Sequence, residues 1–256
     1  MMINLSVVTI CFNNPDDVKQ TCASVDMQTV KPFEHLIVNG STDPAIKEWL
    51  ENNSQPAYRR WVNVENKGIA GNFNQGIEHS KGSYIHLLNS GDIYSSAEVV
   101  ENVLSFLQKH LDANWISGNI ILYRGGDWVT VGCPFDRNQL YKGMRRVSHP
   151  SWFVKREVYD RLGLYKPYSI AMDYDMMCRI KNEPYAYLNF TIAKFDNTGV
   201  SSVKYLDSLK QNIQVYESNF GYSLKCRIWQ FRQKLLYKIL QTSLGEKLFK
   251  LKEAMK

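Results

Sequence analysis

The sequence predicts an α/β fold: a mostly parallel, mixed central sheet flanked by helices, followed by a C-terminal helical extension. Three observations predict it. The first half of the chain alternates short apolar runs with segments of helical period, the pattern of repeated β-α units joined by right-handed crossovers. The opening run, Leu5 to Phe12, has strand length and the apolar character of a strand covered on both faces. From Leu224 onward the period is helical and the charge is basic, so the chain divides into an α/β unit over 1–220 and a basic amphipathic tail over 221–256.

The elements follow in order. Asn13-Asn14-Pro15-Asp16 is a turn and helix start, because proline suits the first helical position, and Val18 to Met27 reads as the helix. His35 to Val38 is a second strand ending at Asn39-Gly40-Ser41, and Thr42 or Asp43 can cap the helix that runs through Trp49. Arg60 to Val64 is a third strand, Ile69 to Ser80 a helix, Tyr84 to Leu88 a fourth strand and Ala97 to Leu111 a helix. Beyond these, Trp115 to Tyr123 and Trp128 to Val131 read as strands around the turn Arg124-Gly125-Gly126-Asp127. Pro150 to Val154 reads as a strand entered from His149, Ala171 to Lys181 as a helix carrying Asp173, Asp175 and Arg179, and Tyr185 to Phe190 as a strand. In the tail, Leu224, Ile228, Phe231, Leu235 and Ile239 make one helical stripe.

Composition narrows the class. At 256 residues, 44% hydrophobic and 22% charged, the chain can bury a sizeable core. No run is long enough to span a bilayer, and the N-terminus enters a strand with no basic segment before an apolar core, so no signal peptide is visible. Five cysteines, odd in number and without CxxC spacing, argue for a reducing compartment and against a disulfide framework or a zinc knuckle. The expectation is a cytoplasmic protein. Leu224 to Lys256 holds nine Lys/Arg and two Glu, a net of +7 against +6 for the whole chain, so the other 223 residues carry −1. Such a tail suits the anionic inner face of a plasma membrane, with Trp229, Phe231 and Tyr237 interleaved among the basic residues. The alternative is packing on the α/β unit or on a second copy in a homodimer. Nucleic acid is not expected, since no nucleic-acid motif accompanies the basic patch.

The strands end in small polar residues: Asn13-Asn14, Asn39-Gly40-Ser41, Asn66-Lys67-Gly68 and Asn89-Ser90-Gly91-Asp92. In a parallel sheet these ends converge and line a polar cleft suited to a nucleotide and its phosphates. No GxGxxG or Walker pattern is present, which argues against a dinucleotide or P-loop site.

Taken together these segments resemble a glycosyltransferase of family 2, with the GT-A fold. Cys11-Phe12-Asn13 stands at the family's strand-ending triplet, and Asn39-Gly40-Ser41-Thr42-Asp43 at its acidic second-strand segment. Lys67-Gly68-Ile69 with Asn74-Gln75-Gly76-Ile77 matches its Lys-Gly-Ile helix, and Gly82 to Asp92 matches the strand entering the DxD motif. His149-Pro150-Ser151, Met172-Asp173-Tyr174-Asp175 and Thr198-Gly199-Val200-Ser201 resemble later landmarks of the branch that builds bacterial exopolysaccharides and O-antigens. The resemblance covers roughly residues 3 to 205.

The resemblance implies transfer of a sugar, with inversion, from a nucleotide-sugar donor such as a UDP-sugar to a hydroxyl of an acceptor glycan, lipid-linked (polyprenyl-diphosphate) or oligosaccharide. It implies Mn²⁺ or Mg²⁺ on the leaving diphosphate and a general base on the opposite face of the sugar. Asp92 falls at the metal ligand, since Asn89-Ser90-Gly91-Asp92 keeps only the last acid of the DxD segment. The donor's own diphosphate would then supply much of the metal's coordination. Asp173 falls at the general base, at a helix start where the dipole would hold it ionised. Phe12 would pack on the base and Asn39 bond its edge. Gly68 and Asn74 would lie near the ribose or base, and Asn89 and Gly91 in the donor site. His149 would contact the diphosphate or the acceptor. Asp175 and Arg179, four apart on one helix face, make a supporting ion pair. Two other readings stand beside this one: a nucleotidyltransferase of similar architecture, whose basic glycine-rich loop is missing here, and a non-catalytic sugar-nucleotide binder or membrane scaffold.

Overall fold

The computed structural model describes residues 3–124, 126–195 and 204–242. The Thr198 to Ser201 landmark and the tail beyond Thr242 lie outside them. Strand β1 (Leu5–Cys11) is flanked by β2 (Glu34–Asn39) and β4 (Tyr84–Leu87), and β3 (Arg59–Asn63) lies beyond β2. All three pairings are parallel. The crossovers are α1 (Pro15–Asp26), α2 (Ala45–Asn52) and α3 (Gly68–His79), so the first half has the β-α layout read from the sequence.

The second half turns the sheet into a mixed one. It comprises β5 (Ile93–Tyr94), α4 (Val99–Lys109), β6 (Trp115–Arg124), β7 (Asp127–Val131), β8 (Phe153–Lys155), α5 (Arg156–Leu162), α6 (Met172–Arg179) and β9 (Tyr185–Phe195). The strand order is β3-β2-β1-β4-β8-β6-β9-β5, with β7 paired to β6. Strand β8 is antiparallel to both β4 and β6, while β6 and β9 run parallel. The strand expected from Pro150 is corrected: His149–Ser151 is a short 3₁₀ turn with proline at its start, and the strand begins only at Phe153. Proline has no N–H to give a ladder, so the turn takes it and the strand does not.

Side chains alternate along β1 and sort into layers. Val8 and Ile10 join Leu36, Val38, Phe73, Ile77, Val158 and Met176 under α3, α5 and α6, whereas Leu5 and Val7 face α4 and Phe153. Helix α3 lies close on the sheet because residue 76 is glycine: a Cβ there would stand 2.4 Å from Val8 Cγ1. Two further helices, α7 (Tyr205–Phe220) and α8 (Leu224–Leu240), pack beside α6 and the 137–142 turn. No helix among the described residues is long and apolar enough to cross a membrane.

Candidate active site

The carboxyl ends of β1 and β4 and the first turn of α3 enclose a cleft of about 310 Å³ lined by Ile10, Cys11, Phe12, Asn14, Asn66, Gly68, Ile69, Asn72, Asn89 and Ser90. Phe12 and Ile69 are 47% and 44% exposed there, an apolar pair at an otherwise amide-rich opening. That combination suits a flat heterocycle with polar edges. Gly68 opens α3 at φ +73°, a conformation that favours glycine, with its N–H donated to Asn66 Oδ1 at 3.0 Å.

Several side chains of this region are already committed. Asn39 donates to Asn63 Oδ1 at 2.9 Å and accepts from the Ser41 N–H at 3.1 Å, at 4% exposure. In this structure the Asn39 carboxamide ties the strand ends together, and the expected bond to a base edge would fall to its second N–H. Asn74 likewise clamps the Tyr165 backbone, donating to its carbonyl at 2.9 Å and accepting from its N–H at 2.8 Å. It is not among the residues that line this cleft. Asn72, which the sequence reading passed over, lines the cleft in its place and donates to Asn66 Oδ1 at 3.0 Å. Asn14 donates to Ser90 Oγ at 2.6 Å and joins the first and fourth strand ends. Asn14 belongs to the strand-end asparagines expected to line the cleft, whereas Asn72, inside α3, carried no such signal.

At the turn after β4, Gly91 adopts φ +95° and donates its N–H to Thr21 Oγ1 at 3.0 Å. Asp92 is 2% exposed and does not line the cleft. Asn89 does, and its Oδ1 is buried without a hydrogen-bond partner. Among the described residues no group of three or more His, Cys, Asp or Glu side chains could hold a metal ion. The fit to Mn²⁺ or Mg²⁺ is thus that of a thin site, with the orphaned Asn89 oxygen at its edge and Asp92 closing the same turn. Hard divalent cations take six or more oxygens, so ligand phosphates would have to complete such a shell.

A second cleft, about 460 Å³, is walled by Lys142, Arg145, Ala171, Asp173, Asn212, Trp229 and Gln233, among others. Asp173 sits in the first turn of α6 with its side chain 24% exposed. Its Oδ1 is buried without a hydrogen bond, and burial pushes its carboxyl up from 3.8 to about 7. The expectation that a helix dipole holds it ionised is corrected on magnitude. That dipole is worth about 0.3–1 kcal/mol near a surface, whereas a rise of this size corresponds to about 4 kcal/mol.

His149 stands behind Asp173, its Nε2 3.7 Å from Oδ1 and 2.8 Å from the Tyr165 hydroxyl. It is 6% exposed and caged by Phe73, Trp152 and Tyr165, and burial holds its imidazole down to about 3. The imidazole is neutral and enclosed and lines neither cleft, so in this structure it stands behind Asp173 rather than at either opening. Helix α3 lines the first cleft with Gly68, Ile69 and Asn72, and the Phe73 ring of the same helix lies 5.3 Å from His149.

Neighbouring groups fix the turn that carries Asp173. Gln211 Oε1 accepts the Ile170 and Ala171 N–H groups at 3.1 Å each. Asp175, fully buried, pairs with Arg179 at 2.8 Å and Lys166 at 3.2 Å, and Arg179 donates to the carbonyls of Leu162, Gly163 and Leu164. The supporting role expected for this pair is what the geometry displays. Chemically, the two clefts offer a seat for a planar ring with polar edges and a desolvated carboxylate poised to take a proton near neutral pH.

A profile of the family described as Glycosyl transferase family 2 matches residues 6–163. An uncharacterized glycosyltransferase of Mycobacterium tuberculosis, Rv1514c, is 28% identical over 204 residues, 77% of each chain. The chondroitin synthase of Escherichia coli is 26% identical over 218 residues, 81% of this chain and 31% of that one. Among solved structures, S. aureus TarS 1-349 in complex with UDP-GlcNAc superposes with a TM-score of 0.64 at 14% identity, over 85% of this chain and 68% of that one. The mannosyltransferase PcManGT of Pyrobaculum calidifontis, in complex with GDP-Man and Mn²⁺, gives 0.61 at 13% identity, over 100% of this chain and 80% of that one. At these identities the structural matches show the fold alone.

Proposed function

The chain belongs to glycosyltransferase family 2, and from that premise we propose that it moves a sugar, with inversion, from a nucleoside-diphosphate donor in the first cleft to an acceptor hydroxyl in the second. The observation that carries this reading is Asp173: a carboxylate raised to about 7 at the wall of an open cleft, as a general base at neutral pH requires. The acceptor O–H gives its proton to Asp173. Its oxygen forms a bond to the anomeric carbon while the bond from that carbon to the diphosphate oxygen breaks. The electron pair leaves with the nucleoside diphosphate, and attack from the face opposite the leaving group inverts the configuration.

Phe12 and Ile69 sandwich the base, and the N–H groups at the start of α3, opened by Gly68, face the donor's negative charge. A divalent Mn²⁺ or Mg²⁺, when bound, neutralises the leaving diphosphate, and Asn89 Oδ1 with Asp92 would hold it. His149 and Tyr165 position Asp173 from behind. The acceptor is a surface-polysaccharide precursor, lipid-linked or oligosaccharide, a reading supported by the sequence landmarks at His149 and Asp173.

A thermal-shift screen of UDP-, GDP-, dTDP- and CMP-sugars, with and without Mn²⁺, tests it. One nucleotide class should stabilise the protein by mass action and be turned over to nucleoside diphosphate. Binding with no transfer to any acceptor would favour a non-catalytic binder, and release of pyrophosphate from a nucleoside triphosphate would favour a nucleotidyltransferase.

A further inference from the structure

We propose that α8 docks the protein on an anionic phospholipid bilayer, with its apolar stripe in the headgroup region and the Asp173 cleft opening beside it. The helix shows two opposed faces. Cys226 and Gln230 are buried at 0% and 2% exposure, and Gln230 donates to the Tyr141 carbonyl at 3.2 Å, so the row 226-230-233-237 faces the protein. Leu224, Ile228, Phe231 and Leu235 are 60%, 59%, 66% and 49% exposed. At roughly 100° per residue this stripe lies on the far side of the helix from the docked row. A four-residue apolar stripe turned to solvent is unusual for a helix that already has a packed face.

Charge selects the occupant. Lys225 and Arg232 border the stripe on one side and Lys234 and Lys238 on the other, and Leu224 to Leu240 contains no Asp or Glu. Arg227, on the same border as Lys234, is already bound by Glu217 at 2.7 Å. Two copies meeting through this face would bring cation against cation, which opposes a homodimer there. An apolar stripe between two basic borders instead matches acyl chains below and lipid phosphates above.

The border nearer the cleft is denser still. Lys142 Nζ and the Arg145 and Arg232 guanidinium carbons lie 4.9, 5.5 and 5.3 Å from the Trp229 ring, and Lys225 Nζ lies 4.1 Å from that of Tyr141. None of these four cations has an ion-pair partner among the described residues. Trp229 and Gln233 also wall the Asp173 cleft. One helix thus meets the membrane with one face and bounds the acceptor cleft with another, so that a phosphate-bearing lipid would arrive among cations at the rim. This deepens the acceptor half of the proposed function and rests on it for that half alone; lipid docking stands separately.

Vesicle flotation of the full chain tests it, with phosphatidylglycerol-containing and pure phosphatidylcholine vesicles at low and high salt. The expected result is flotation with the anionic vesicles, weakened by salt, and reduced at least about tenfold in the Ile228→Ser/Phe231→Ser/Leu235→Ser variant. Donor hydrolysis in the absence of membrane should be unchanged in that variant, which reports that it is folded. Equal binding to neutral vesicles, no binding to anionic ones, unchanged flotation of the triple variant, or a solution dimer that the same substitutions dissolve would each overturn docking. Flotation by a chain that turns over no nucleotide-sugar would leave docking intact and remove the catalytic reading.

Discussion

At the scale of single residues, Asp173 decides most. Its folded-state pKa is about 7 against an ordinary 3.8, so the native state binds a proton that the unfolded chain releases between those values. Stability contributed by this site is therefore greatest below pH 4, falls as pH rises to 7, and is flat beyond. Asp173→Asn removes the ionisation, so the variant should melt above wild type at pH 8 and match it near pH 4, with a difference of at most about 4 kcal/mol. A melting series across pH checks both sign and window. Tyr165→Phe should free His149 Nε2 to donate toward Asp173, 3.7 Å away, and move the acid limb of the kcat/KM profile to lower pH. Phe12→Ala should weaken donor binding about tenfold, as loss of one base-stacking contact does, which titration calorimetry with nucleoside diphosphate would read. Phe12, Gly68 and Asn89 were legible as cleft-lining positions, and Asp173 as a helix-start carboxylate, because each sits in a local pattern. The amide bonds of Asn39 and Asn74 were not, because their partners, Asn63 and Tyr165, lie 24 and 91 residues away. Nothing in a single chain announces that an amide is already bonded.

At the scale of elements, the strands of the first half were readable within one residue and its helices within three, because apolar runs mark buried strands more sharply than helix ends. The two-residue β5 and the seven-residue α5 are too short to display a period, and both went unread. Helix α6 shows why a short helix persists: its eight residues are held by Asp175, Arg179 and Gln211, not by propensity. Asp175→Ala should cost about 3–5 kcal/mol, since it strands Arg179 and Lys166 beside a buried gap. Denaturant midpoints read this, and turnover should fall with it as the Asp173 turn loosens. Gly76→Ala should cost about 1–3 kcal/mol, because the new methyl meets Val8 at 2.4 Å and α3 must lift from the sheet. The same measurement distinguishes it from a surface change, which would leave the midpoint within about 0.5 kcal/mol.

At the scale of the whole molecule, the sheet changes character where function needs two clefts. The parallel half carries the strand ends that line the first cleft, and β8, antiparallel between β4 and β6, leads into α5 and on toward α6, which carries Asp173 of the second. The sequence made the parallel half and the mixed character of the sheet visible, but not the antiparallel place of β8 between β4 and β6, because that depends on which distant strands meet. The basic tail was visible as composition, while the side on which α8 turns its apolar stripe emerged only from its packing. The thin donor-side oxygen set predicts that Mn²⁺ alone will not raise the melting temperature, whereas Mn²⁺ with nucleoside diphosphate will. The most direct test of the central assignment is transfer by Asp173→Asn measured beside its donor affinity. Donor binding within about threefold of wild type with turnover at least about 100-fold lower is the predicted result for a lost general base. Turnover at the wild-type rate would contradict it.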